Sequence, residues 1–127
     1  MIYEVANKPK RLPYLLLDEV ISFACNFLDL DIDFTLEFVK LKPYQCGFCD
    51  YDEEEIILTV SKSLSKDDMI KTIFHEMVHI KQYLDGRLEN GSPPIWLGII
   101  YEDRYENLPW EIEAFELEQK MVKEFYS

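Results

Sequence analysis

The chain's only two histidines stand four residues apart with a glutamate directly after the first, in the run His75-Glu76-Met77-Val78-His79. On a helix, side chains at i and i+4 lie one turn above the other on the same face. Two imidazoles at that spacing can aim their Nε2 atoms at one tetrahedral ion, and zinc (Zn2+) is the ion that such nitrogen donors suit. Glu76 is then placed to take a proton from a water that the ion activates. The implied chemistry is metal-assisted hydrolysis. The bland alternative is an amphipathic helix whose polar face carries both histidines, and it asks three residue types to coincide by chance within one short run.

The segment around the motif has the periodicity such a site requires. At about 100° per residue, Met69, Ile70, Ile73, Met77, Ile80 and Leu84 gather on one side. His75, His79, Thr72 and Gln82 fall roughly opposite, with Glu76 and Tyr83 at the border. Such a helix lays its apolar side on a sheet and turns its histidines toward a cleft. Ser65 followed by Asp68 resembles a capping box at its start, and Asp85-Gly86 supplies a glycine for its left-handed end.

A catalytic zinc usually takes three protein ligands and keeps one position for water, and the chain has no third histidine. A carboxylate must complete the set. The last segment reads as a helix from Pro109 toward Phe125, with Trp110, Ala114, Leu117, Met121 and Phe125 in one stripe and Glu111 and Glu113 on its opposite borders. Glu111 shares its flank with Phe115 and Val122, which draw it inward. Glu113 shares its flank with Glu116, Lys120 and Glu124, which read as solvated. The wheel therefore favours Glu111, with Glu113 as the alternative.

The elements around these two helices follow from the rest of the chain. Residues 1–13 read as a short arm, basic at Lys8, Lys10 and Arg11 and broken by Pro9 and Pro13. Tyr14 to Leu30 has helical spacing, with Cys25 as a small buried hydrophobe. Alternation over Ile32 to Val39 and again over Glu55 to Val60 describes two strands, and Gln45 to Tyr51 can supply one between them, for a small antiparallel sheet. Cys46-Gly47-Phe48-Cys49 has the spacing of a zinc knuckle or redox pair. It lacks further ligands for the first and a helix start for the second, so it is read as packing at a turn. The acidic run Asp50 to Glu55 lacks the glycine and ligand spacing of a calcium loop and reads as a solvated hairpin turn. Arg87 to Leu108, rich in glycine and proline, reads as a long loop over the cleft, with a short apolar piece at Ile95 to Tyr101.

Composition narrows the function classes. One hundred and twenty-seven residues, 48% of them apolar, make a single domain, residues 1–127, with a packed core and no room for a second substrate-binding domain. The net charge of −12 repels phosphates and anionic lipid, which argues against nucleic acid and membrane partners. Three cysteines, an odd number, and a start without an apolar signal core lead to the expectation of reduced thiols and a cytoplasmic protein.

The run His75-Glu76-x-x-His79 with Pro109-Trp110-Glu111-Ile112-Glu113-Ala114 resembles the minimal gluzincin-type zinc metallopeptidase domains, the company of the SprT-like, ImmA/IrrE-like and small phage-type metallopeptidases. In that company the third ligand is commonly a glutamate with a small residue three positions on, as Glu111 has Ala114. The departure is Phe115, where an acidic or amide residue would orient a histidine. The resemblance covers about a third of the chain. It implies an α+β zincin-like domain with an N-terminal helix, a small antiparallel sheet, the H-E-x-x-H helix and a C-terminal helix, and an extended substrate along an edge strand.

The expected activity is peptide-bond hydrolysis, with His75, His79 and Glu111 on Zn2+ and Glu76 as general base. Tyr101 and Tyr105 are candidate oxyanion donors, and the strand Ile56 to Val60 is the expected site of peptide addition. The rivals are a zinc-bearing regulatory or interaction module without turnover and an acidic binding protein with no metal.

Overall fold

The computed structural model describes residues 2–127, so Met1 of the arm expected over residues 1–13 lies outside the described residues. The chain forms β1 (Tyr3–Ala6), α1 (Tyr14–Leu28), β2 (Phe34–Val39), β3 (Gly47–Tyr51), β4 (Ile56–Ser61), α2 (Lys66–Leu84), β5 (Leu88–Glu89), β6 (Ile95–Trp96), β7 (Ile99–Ile100) and α3 (Pro109–Phe125). A 3-10 turn at Tyr105–Asn107 precedes α3. This is a small α+β fold.

The main sheet has the order β1-β2-β4-β3 and is mixed. β1 pairs with β2 and β2 with β4 in parallel, and only β3 with β4 is antiparallel. The all-antiparallel sheet expected from the sequence is therefore corrected, for two reasons. The arm contains a strand, whose Tyr3 ring stacks on Phe34 at 5.7 Å. And the β3–β4 hairpin folds back on the outside, so that β4 is flanked by β2 and β3. β4 thus has no free edge, and the edge strand beside α2 is β3. Its burial shows the same thing: Thr59 and Ser61 are covered as completely as Leu58 and Val60, which happens when both faces and both edges have neighbours.

α2 is the element around which the others pack. Ser65 Oγ accepts from the Asp68 N–H at 3.2 Å, which caps its start, and Gly86, at φ 73°, turns the chain away after its end. Met69, Ile70, Ile73, Met77 and Ile80 are wholly buried, while Leu84 outruns the core and is exposed. α2 lies against β3 and β4 of the sheet and also packs on α1 and α3. At the close approach of β3, Gly47 has no space for a side chain: a Cβ there would stand 2.4 Å from the Thr59 carbonyl oxygen and 2.8 Å from Thr72 Cγ2.

The connection from Arg87 to Leu108 is more ordered than expected. Its short strands form a second, antiparallel sheet in the order β5-β6-β7, a flap whose buried side carries Leu88 and Trp96 against Trp110 of α3. Two-residue strands leave too little alternation to be read as strands from sequence. Among the described residues, no helix is long and apolar enough to cross a membrane.

Candidate metal centre

α2 and α3 bring three of the expected residues together. His75, His79 and Glu111 each offer one ligand atom, all within 4.8 Å of one another. His75 Nε2 lies 2.9 Å and His79 Nε2 3.1 Å from the same oxygen, Glu111 Oε1. A tetrahedral zinc would hold such donor atoms roughly 3.3 Å apart, and both nitrogen-to-oxygen distances are within a few tenths of an ångström of that spacing. The imidazole rings meet edge-on, 4.9 Å between centroids. Glu76 lines the same cleft, a concavity of about 860 Å³ between β3, α2 and α3, and is buried. The histidine face of α2 is thus roofed by α3, and His79, Thr72 and Gln82 on it are buried as well.

What the rings do with their other nitrogens tests the fit to a metal. His75 Nδ1 is 3.0 Å from Glu118 Oε1, and His79 Nδ1 is 2.7 Å from Gln82 Oε1. All four ring nitrogens therefore face oxygens. A neutral imidazole has one N–H, so it satisfies one such contact and points a lone pair at the other. Either both rings take a second proton or a cation sits where the Nε2 lone pairs converge, and these residues fit a bound metal ion.

The protonation energetics of the metal-free site agree. Burial alone would lower the His75 pKa, yet its bonds to Glu111 and Glu118 and the charge of Glu76 push it up to about 10. His79 is raised in the same way, against burial, by Glu111, Glu76 and Gln82. Burial would raise Glu111, but the two imidazoles outweigh it and hold its carboxyl at about 2. Glu76 is raised, chiefly because burial disfavours its charge, with the histidines opposing.

Glu113, the alternative ligand, faces elsewhere. It accepts from Gln82 Nε2 at 3.1 Å and from Arg87 Nη1 at 2.6 Å, in a part-buried ion pair and not on the solvated flank that the wheel assigned to it. Tyr105 hydroxyl donates to Glu111 Oε1 at 3.0 Å and lines the cleft, whereas Tyr101 packs edge-on against Trp110. Cys46 and Cys49 lie on the β3 wall of the cleft. Burial, with the charges of Glu76 and Asp50, pushes the Cys49 thiol up and keeps it protonated.

Two site residues escaped sequence reasoning. Glu118 supplies the carboxylate for His75 that Phe115, exposed on α3, does not. It stands seven residues after Glu111, two helical turns along the same face, and that spacing was the signal. Its Oε2 is buried without a hydrogen-bond partner among the described residues. Gln82, wholly buried one turn beyond His79, is the other. No family model, curated protein or solved structure matches the chain.

Proposed function

We propose that the protein is a zinc-dependent metallopeptidase of the gluzincin type, with His75, His79 and Glu111 as ligands and Glu76 as general base. The observation that carries this reading is the convergence of both Nε2 atoms on one Glu111 oxygen while both Nδ1 atoms are tied to Glu118 and Gln82. Two nitrogens and one carboxylate suit zinc better than calcium or magnesium, which favour all-oxygen sites. When bound, zinc polarises a carbonyl and lowers the pKa of coordinated water toward neutrality.

The chain's own groups supply the rest. Burial makes Glu76 a better proton acceptor than a solvated carboxylate, so it can take a proton from water and pass it to the leaving amine. Tyr105, largely exposed at the cleft, can swing its hydroxyl from Glu111 to the oxygen of a peptide carbonyl. The free edge of β3 takes the part that the sequence assigned to Ile56–Val60, pairing with an extended peptide.

The test is Glu76→Gln beside the wild type, with zinc content and cleavage of unstructured peptides both measured. The expected result is equal zinc in both proteins and a loss of turnover of about 10²–10⁴-fold in the variant. Wild type without zinc, or a variant that cleaves as well as wild type, overturns the proposal. Zinc with no turnover in either protein favours the interaction module.

A further inference from the structure

The two histidines are held by different chemistry. His75 is backed by a carboxylate, Glu118, whose oxygens only accept, so its Nδ1 is obliged to donate. His79 is backed by an amide, and an amide can turn over, offering its NH2 where its oxygen was. Were Gln82 to flip, His79 Nδ1 would become the acceptor, its proton would move to Nε2, and the nitrogen aimed at Glu111 would no longer be a ligand.

Gln82 is kept from flipping by what lies on its other side. Its Nε2 donates to the Trp110 carbonyl oxygen at 3.0 Å and to Glu113 Oε1 at 3.1 Å. Both are acceptors only, and the flipped amide of the wholly buried Gln82 would set its oxygen against two oxygens. Glu113 is in turn held in place by Arg87, whose guanidinium also reaches Asp85 at 3.5 Å and lies over the Trp96 ring, 5.2 Å from its centroid.

We infer that Gln82 is a positioning residue for His79, and that the Arg87–Glu113 pair acts through it by fixing the tautomer in which Nε2 is offered to the metal. The inference rests on the reading of His75, His79 and Glu111 as a metal site. It gives Glu113 a function other than ligation. It also explains why one histidine needs an ion pair behind its partner and the other does not.

The test uses the full chain with zinc. Dissociation constants are measured by chelator competition for wild type, Glu113→Gln, Gln82→Met and the double variant, with long-range ¹⁵N–¹H spectra of the imidazoles in the loaded proteins and thermal midpoints of the metal-free ones. Glu113→Gln replaces an obligate acceptor with an amide that can donate, which removes one of the two oxygens that oppose the flip. Each single variant is expected to weaken zinc binding by about 10–100-fold. The double variant should be no weaker than the weaker single one, because both act at one atom, and the metal-free midpoint of Glu113→Gln should stay near that of wild type. In wild type, His79 should show a protonated Nδ1. If Glu113→Gln binds zinc as tightly as wild type, or if the two losses multiply in the double variant, the chain does not act through Gln82 and the inference fails. Glu113→Gln, at a part-exposed position, decides the matter alone if Gln82→Met does not fold. Wild type that binds no zinc removes the metal site, and this inference with it; zinc binding without peptide cleavage leaves it standing.

Discussion

The two apolar clusters of the molecule differ in size and in how they support the candidate metal centre. The larger one joins α1, α2, the main sheet and, through Ala114 and Met121, α3, with Leu17, Ile21, Leu36, Phe38, Leu58 and Ile73 among its fully buried members. The smaller one, under the flap, has only Leu88, Trp96 and Trp110 buried, with Tyr83, Tyr101 and Leu108 at its margin. Both imidazoles rise from a helix seated in the first cluster. Glu111 directly follows Trp110, so the end of α3 that carries it rests on the second cluster while the rest of α3 rests on the first. The donor set is therefore shared between a heavily packed body and a lightly packed one, so that fold stability and metal affinity respond to different residues.

The sharpest break of that comparison is Phe38→Ala, in the large cluster and away from the cleft. It should cost about 3–5 kcal/mol of stability in urea titrations while leaving the zinc affinity of the folded protein as it was. Trp96→Ala, under the flap, should cost about 1–3 kcal/mol in the same titration yet weaken zinc binding, because the wall that sets Trp110 and Arg87 is loosened. Equal losses of stability from the two, with zinc binding untouched by either, would show that the clusters behave as one body.

A pH series probes the histidine side. His75, raised to about 10, stabilises the metal-free fold fully below its unfolded pKa of about 6.5, and that contribution is lost as pH rises through about 10. Zinc must expel that proton, so this ring alone should make the affinity climb by up to about tenfold per pH unit between neutrality and pH 10, with any proton expelled from His79 adding to the slope, read by competition titration at several pH values. A flat profile would mean that Glu118 and Glu111 do not hold the ring protonated. Glu111, lowered to about 2, contributes above the ordinary carboxylate range and loses its effect only as pH falls through about 2. The smallest effect is expected from Ser65→Ala, which removes the α2 cap. It should cost about 1 kcal/mol in thermal unfolding without changing zinc affinity.

The same division describes what the sequence disclosed. α1, α2 and α3 were legible because each carries a long apolar stripe with capping residues or proline at its start, and α3 runs from Pro109 to Phe125 as its pattern implies. The gathering of His75, His79 and Glu111 was legible because all three lie on faces that the helical wheel can sort. The parallel pairing of β1, β2 and β4 was not. It joins residues far apart in the chain, and no turn motif announces it. The flap escaped because its strands are two residues long, Gln82 because its contacts follow from packing that only the folded chain defines, and Glu118 although its spacing from Glu111 on one helix face pointed to it.

Gly47 adds one last consequence. With no β-carbon, it lets the strand on one bank of the groove settle onto the helix that forms the floor, so the gauge of the groove is fixed by a missing methyl. A lineage that put alanine there would alter the shape of the groove long before it altered His75, His79 or Glu111.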